Sequence, residues 1–416
     1  MKKTYNKVLE NGLRVYIVEN KKKNRCGAKI VIRAGGHNIS YIGKNGEKKE
    51  IKQGIAHFLE HYLIEKSIYG NLGEYFWGES MAFNGLTFQD RTEFYFSTVH
   101  DFKDALIRLI RLVNKPNFTD VDIEDIKKPI IEEIKSNLDN VHRQESKMVD
   151  NVYYDTFPGD IILGDIETIE DLTIDDLKEF HKEFYGTNNQ ILSIVSKYDA
   201  NELLQLINEE YDGNNGDIQT NEYLEPIRIK ERELTIINPK ENEYLWLIFK
   251  ISLEGYSNWE AYMLENYFYF LEKSSFGTDS KLFKNLRNNN HTIYAIDTRA
   301  DLHWKNKFAS FSVRIYTSDF DKAQNMVLDT LRNIEYDEDA FNLLKNNLII
   351  TYINRQERNG AQNDAWLYNY LSFDLDYLDD LEDIKKLNLD EMKKYIEKID
   401  FTNYLSVRRI KKEENV

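Results

Sequence analysis

Two segments that open helices recur in this chain at a nearly constant distance, and a chain that repeats itself is constrained to fold as two copies of one plan. Ser97-Thr98-Val99-His100-Asp101-Phe102-Lys103-Asp104-Ala105 follows the strand-like Glu93-Phe94-Tyr95-Phe96, and Tyr316-Thr317-Ser318-Asp319-Phe320-Asp321-Lys322-Ala323 follows Phe311-Ser312-Val313-Arg314-Ile315. Their Asp, Phe and Ala coincide at 319 − 101 = 218. Later in each half, Leu172-Thr173-Ile174-Asp175-Asp176-Leu177-Lys178 resembles Leu387-Asn388-Leu389-Asp390-Glu391-Met392-Lys393, at 390 − 175 = 215. Apolar strand runs follow both, Ile191-Leu192-Ser193-Ile194-Val195 and Leu405-Ser406-Val407. The polar stretch Asp212-Gly213-Asn214-Asn215-Gly216-Asp217 has the composition of a connection. The reading is a first domain over 1–212, a linker over 213–224 and a related second domain over 225–416.

Within each copy, β-branched and aromatic strands mix with amphipathic helices without the regular alternation of a doubly wound sheet, so the fold class is α+β. From Phe102 to Val113, for example, Leu106, Ile107, Leu109, Ile110 and Val113 form a stripe opposite Lys103, Asp104 and Arg108. With 416 residues, 41% of them apolar, the chain can bury one large core or two ordinary ones, and its length favours two or three domains. Its formal charge, 55 − 71 = −16, with no basic cluster interleaved with aromatics, excludes nucleic acid as a partner. No window approaches the roughly 20 apolar residues that span a bilayer, and the opening residues lack the apolar run of a signal peptide, so a soluble cytoplasmic protein without a membrane span is expected. The one cysteine, Cys26, reads as a small core residue and excludes both a disulfide framework and an all-thiolate metal site.

Any metal must therefore be held by imidazole and carboxylate, and His57-Phe58-Leu59-Glu60-His61 supplies both. In a helix, positions i, i+3 and i+4 leave one face, so the three polar side chains can reach one ion. Ile55, Phe58, Leu59, Tyr62 and Leu63 give that helix an apolar side, and Gly43-Lys44-Asn45-Gly46 before it is loop-like. Two neutral imidazoles bind zinc well, and a carboxylate one turn away can hold water without coordinating. The bland competitor is a pair of surface histidines beside a solvated glutamate. A catalytic zinc needs a third protein ligand, and Ile130-Ile131-Glu132-Glu133-Ile134-Lys135 is the best source. Glu132 and Glu133 cannot both face the ion from adjacent helical positions, and the residues alone leave that choice open.

At this point the chain resembles the insulinase/pitrilysin family of zinc peptidases with the inverted H-x-x-E-H motif. Asn11-Gly12-Leu13-Arg14-Val15 is similar to the family's first strand, and Gly54-Ile55-Ala56 to its approach to the motif. Asn84-Gly85-Leu86-Thr87, followed by Thr92-Glu93-Phe94-Tyr95, resembles its substrate edge strand, and Ile130-Ile131-Glu132-Glu133-Ile134 its distal ligand segment. Arg287, in Leu282-Phe283-Lys284-Asn285-Leu286-Arg287, and Tyr294 resemble its Arg and Tyr pair, seven residues apart. The resemblance implies two related α/β-roll domains forming one half of a clamshell. It implies one Zn2+ per chain on His57, His61 and Glu133, Glu60 as general base, Asn84, Gly85 and Thr87 as substrate strand, and Arg287 and Tyr294 acting on the substrate carbonyl. It also implies a homodimer, or a heterodimer with a paralogue, that cuts unfolded peptides in an enclosed chamber. The alternative is a noncatalytic peptide-binding or scaffolding partner of a paralogous subunit.

Four departures carry expectations of their own. The gap of 133 − 61 = 72 residues is short for the family and suggests a trimmed loop. Ile126 stands where an acidic residue is usual, so Asp125 or Glu124 would have to supply that support. Gly85 replaces the usual Ala, which would loosen the substrate strand. Pro129, four residues before Glu133, would kink or restart its helix. The other histidines, His37, His100, His142, His181, His291 and His303, lack paired spacing and read as structural, and Tyr267-Phe268-Tyr269-Phe270 reads as core.

Overall fold

The computed structural model describes residues 2–411 apart from 44–45, 120–122, 156–161, 212–224, 279, 289–294, 304–305, 359 and 379–380. The linker expected at 213–224, His291 and Tyr294 therefore lie outside the described residues. Two compact units account for the chain. One comprises Met1–Gln144, Asp160–Glu222 and Arg358–Asp364, and the other Glu145–Gly159, Tyr223–Glu357 and Ala365–Val416. A contiguous cut at the linker misses two exchanges, and each has a polar cause. Glu145 is buried in the second unit, where it accepts from Arg409 at 3.0 Å and Asn238 at 2.9 Å. In the first unit the Asn363 amide donates to Ser193 Oγ at 2.8 Å and to the Ile194 carbonyl at 2.9 Å. Removing one partner from either buried set would leave the other unsatisfied, at a cost of about 1–3 kcal/mol.

The strands of the first unit are β1 (Lys2–Val8), β2 (Arg14–Asn20), β3 (Cys26–Ile32), β4 (Ser40–Ile42), β5 (Lys48–Glu50), β6 (Ala82–Thr87), β7 (Thr92–Thr98) and β8 (Gln190–Ser196). Six of them form a sheet in the order β1-β2-β8-β3-β7-β6, while β4 and β5 pair separately. β8 lies parallel to β2 and antiparallel to β3. It is buried along its whole length, and β3 nearly so, which is why both read as continuous apolar runs. β6, at the sheet edge, alternates instead: Phe83 and Gly85 are buried, Asn84 and Leu86 exposed. Its pairing to β7 is regular from Ala82↔Ser97 to Thr87↔Thr92, with Gly85 opposite Phe94.

The second unit repeats this plan with β9 (Glu233–Ile237), β10 (Tyr244–Ser252), β11 (Ile296–His303), β12 (Phe308–Ile315) and β13 (Tyr404–Ile410), in the order β11-β12-β10-β13-β9. Strand for strand, β9, β13, β10, β12 and β11 match β2, β8, β3, β7 and β6, including the single parallel pair. The duplication legible in the helix entries is thus present in the sheets, and the fold is α+β. Those entries are helix starts, and the later pair carries capping hydrogen bonds. Asp101 and Asp319 precede the helices Phe102–Asn114 and Phe320–Arg332. The Thr173 side chain accepts from Asp176 N, and that of Asn388 from Glu391 N. Cys26 is buried on β3, and Tyr267, Phe268 and Phe270 lie in the second core. Among the described residues no helix is long and apolar enough to cross a membrane.

Candidate metal centre

The His57-x-x-Glu60-His61 segment lies on the helix Ile55–Glu65, which packs on β6. Gly54 starts this helix at φ 83°, where a Cβ would stand 2.5 Å from the Leu163 carbonyl oxygen, so both backbone shape and space call for glycine. Phe58, Leu59, Tyr62 and Leu63 anchor the helix in the first core. Their burial carries two polar groups inward with them: His57 is 7% exposed and Glu60 6%. Groups of this kind are rarely buried unless satisfied or used.

The helix Glu124–Leu138 is fixed through Ile126, Ile130 and Ile134, one apolar stripe at four-residue spacing. It continues through Pro129 instead of restarting there; that stripe offsets the one hydrogen bond which the ring removes. Glu133 turns toward the motif, with Oε2 3.7 Å from His57 Nε2, whereas Glu132 pairs with Lys135 at 2.7 Å. One donor atom from each of His57, His61 and Glu133 lies within 4.8 Å of the others. The two imidazole rings meet edge-on at 4.6 Å. Such a set fits a metal that takes two nitrogens and one oxygen and leaves a coordination position open.

The electrostatics favour the metal-binding forms unevenly. Burial, aided by the repulsion of His61, lowers the His57 pKa to about 3, so its ring stays neutral. For His61, burial pulls down, but Glu65, Glu60 and Glu133 outweigh it and hold the pKa above the usual value. Burial raises the Glu60 carboxyl, against the opposing pull of His61 and the Thr87 hydroxyl. The Thr87 Oγ1 donates to Glu60 Oε2 at 3.0 Å.

Glu124 and Asp125, expected to supply acidic support, pair with Lys127 at 2.8 Å and Lys128 at 3.5 Å. Ile126 is fully buried, and His57 Nδ1 is buried with no hydrogen-bond partner among the described residues. The helix register explains both: the buried face at this level is apolar, and its acidic neighbours point to solvent.

One pocket of about 520 Å³ brings His57, Glu60, His61 and Glu133 together with Asn84, Gly85 and Thr87 of β6. Leu86 of the same strand segment also lines it, as do Trp77, Phe83 and Leu163, which the sequence pattern did not single out. Phe83 and Leu86 adjoin Asn84 and Gly85 on β6, whereas Trp77, 64% exposed, and Leu163 come from other segments. Arg287 belongs to the second unit, exposed on the helix Lys281–Asn288 with its guanidinium 5.9 Å from the Phe283 ring.

Comparison with known proteins adds a family signal to this geometry. A family model described as Insulinase (Peptidase family M16) matches residues 14–161, and one described as Peptidase M16 inactive domain matches residues 171–348. Over 208 residues the chain is 32% identical to YmfH of Bacillus subtilis (strain 168), described as an uncharacterized zinc protease. That match spans 49% of this chain and 48% of the relative, about half of each. Among solved structures, a putative M16-like peptidase from Alicyclobacillus acidocaldarius shares the fold with a TM-score of 0.83 at 20% identity, over 99% of both chains. The periplasmic protease PqqL from Escherichia coli matches with a TM-score of 0.76 at 16% identity, over 98% of this chain and 47% of its own.

Proposed function

The chain belongs to the insulinase family of peptidases, and from that premise we propose that it is a zinc-dependent endopeptidase acting on unfolded peptides. The observation that carries the reading is the convergence of His57, His61 and Glu133, with a buried Glu60 beside them, in a pocket walled by an edge strand. The noncatalytic alternative gains little from the inactive-domain description, because that match covers 171–348 and contains none of these four residues.

A zinc ion on His57, His61 and Glu133 would polarise the scissile carbonyl and acidify the attacking water. Glu60 would take a proton from the attacking water and return it to the leaving nitrogen, the general-base and then general-acid role. The exposed edge of β6 at Asn84 to Thr87 adds the substrate as a further strand, so main-chain hydrogen bonds bind it with little sequence preference. Arg287 and Tyr294 are assigned to the substrate carbonyl and its developing negative charge, a role that rests on the family resemblance. The chain spans 47% of PqqL, which supports a working unit of two such chains, a homodimer or a pair with a paralogue.

The test is hydrolysis of unstructured peptides of about 10–30 residues, an extended length that an edge strand can take up. Turnover should disappear on chelation, return with zinc, and be much slower on a folded domain containing the same sequence. Zinc-replete protein that cuts none of a varied peptide panel would refute the enzyme reading.

A further inference from the structure

We infer that Arg143 selects for a carboxylate in the substrate peptide, one or two residues from the scissile bond. The inference rests on the peptidase reading and names the substrate chemistry of that same site. Among the described residues that line the pocket, the carboxylates are Glu60, Glu65 and Glu133, and Arg143 is the one lysine or arginine. Glu133 and Arg143 come from consecutive helices, Glu124–Leu138 and Val141–Tyr153, and both residues belong to the first unit. A space of about 520 Å³ is roughly 8 Å across, the reach of about two extended residues. A substrate group that meets Arg143 there lies next to the cut.

The arginine stands where its own helix disfavours it. Asn140 Oδ1 accepts from His142 N at 3.0 Å and from Arg143 N at 3.2 Å, so Arg143 sits in the first turn, at the positive end of the helix dipole. Carboxylates are favoured there and a cation costs stability, yet this turn holds no acid and carries His142 and Arg143 instead. A cation kept at the wrong end of a helix calls for an acid from outside it. Glu133 is turned to His57 at 3.7 Å, Glu65 to His61 at 3.9 Å, and Glu60 accepts from Thr87. The Arg143 side chain is exposed, and its five N–H groups in a planar fork can hold one acid and still receive a second. With three carboxylates around it, the pocket would otherwise attract a basic side chain; a guanidinium reverses that choice at the position it touches. Two sources offer the same chemistry, an Asp or Glu side chain and the C-terminal carboxylate of a peptide cut close to its end.

The experiment compares the full-length, zinc-replete wild type with Arg143→Gln and Arg143→Glu on peptides that share one cleaved sequence. Each of the two residues on either side of the cut is in turn Glu, Gln or Lys, and a further set ends within two residues of the cut with a free or an amidated C-terminus. Wild type should favour Glu over Gln at one position by about 10-fold in kcat/KM, the scale of one charge-assisted pair. If the chain end is the source, the same preference appears for free over amidated peptides. Arg143→Gln should abolish the preference, and Arg143→Glu should invert it toward Lys, with zinc still at one per chain. An equal loss on every peptide, or a ratio that Arg143→Glu leaves unchanged, would overturn the inference; the first would mean that Arg143 only balances the charge of Glu133 and its neighbours. If wild type cuts nothing, the peptidase reading falls by itself. Fluorescence anisotropy of the labelled Glu and Lys peptides then decides the selection: an inversion of affinity between wild type and Arg143→Glu supports it, and equal affinities overturn it.

Discussion

The motif helix on β6 and the helix Asn258–Ser275 on β11 are the same construction executed twice, and among the described residues only the first brings together a set of side chains that could hold a metal. His57, Glu60 and His61 are answered in the second unit by Tyr262, Glu265 and Asn266, each at an offset of 205 (262 − 57, 265 − 60, 266 − 61). The carboxylate is kept and both imidazoles are gone. The Tyr262 ring packs on Trp259, Phe373 and Tyr377, while the Asn266 amide donates to the Tyr262 carbonyl at 3.2 Å. Asp301 fills the position that Gly85 leaves open. Tyr and Asn stand where the imidazoles are, and the acid beside them is pushed toward its neutral form. Burial, with Asp301 adding to it, raises the Glu265 pKa to about 7 against the pull of the Tyr368 hydroxyl. The scaffold is common to both units; the proposed chemistry lies in a handful of side chains.

The comparison breaks most visibly if the two acids are exchanged for amides. Glu60→Gln should keep zinc and lower peptide hydrolysis by about 10³-fold or more, because the base is lost while the ligands remain. Glu265→Gln should leave turnover within about twofold, as a neutral side chain already suits its site. Comparable losses from both variants in steady-state kinetics would show that the second acid takes part in catalysis.

How far these differences are legible in the sequence depends on the range of the signal. The motif is local, so helical periodicity alone put its three side chains on one face. The repeated helix entries at Asp101/Asp319 and Thr173/Asn388 are local too, and they exposed the duplication. The counterpart of the motif stayed hidden. The connection before the motif helix occupies residues 33–54 and that before the second helix only 253–257, so the offset there falls to 205 and the matching acid slips out of alignment. Glu132 and Glu133 sit about 100° apart on one helix, and nothing nearby in sequence says which direction faces the histidines. The Trp77 and Leu163 pocket wall and the Glu145–Gly159 exchange depend on contacts between distant segments.

Metal binding sharpens the comparison next. Glu133→Gln should weaken zinc binding by at least about 100-fold, since a charged ligand is lost, and Glu132→Gln should change it by less than about twofold. Competition with a calibrated chelator measures both. The reverse order would move the third ligand to Glu132, whose carboxylate is held by Lys135 in this structure.

Acidity gives a smaller, graded effect that exists only in the first unit. His57 is neutral down to about pH 3, so the proton that competes with zinc sits on His61, whose pKa is raised. Zinc affinity should be constant above that pKa and fall about tenfold per pH unit below it. Glu65 approaches His61 Nδ1 at 3.9 Å and is the foremost cause of the rise, so Glu65→Gln should move the falling arm to lower pH. An arm that stays in place in binding isotherms recorded from pH 8 to 5 would assign the competing proton elsewhere.

The smallest effect is one of stability, and it belongs to the second unit. Glu265 has a folded pKa of about 7 against an ordinary value near 4.5, so the folded chain holds this proton more tightly than the unfolded chain does. Its contribution is fully present below pH 4.5 and is lost as pH rises through 7, because the site must then either carry a poorly solvated charge or unfold. The shift sets an upper limit of about 3 kcal/mol, and solvent reaching part of the residue brings the expectation to about 1–2 kcal/mol. Glu265→Gln preserves the shape and cannot ionise, so between pH 5 and 8 wild type should lose stability relative to the variant by that amount. Denaturant midpoints for both proteins at several pH values isolate the term, since every other titrating group is shared. Parallel curves would mean that Glu265 is charged at neutral pH in the folded chain, and the contrast between a working acid in one unit and a silenced acid in the other would fail.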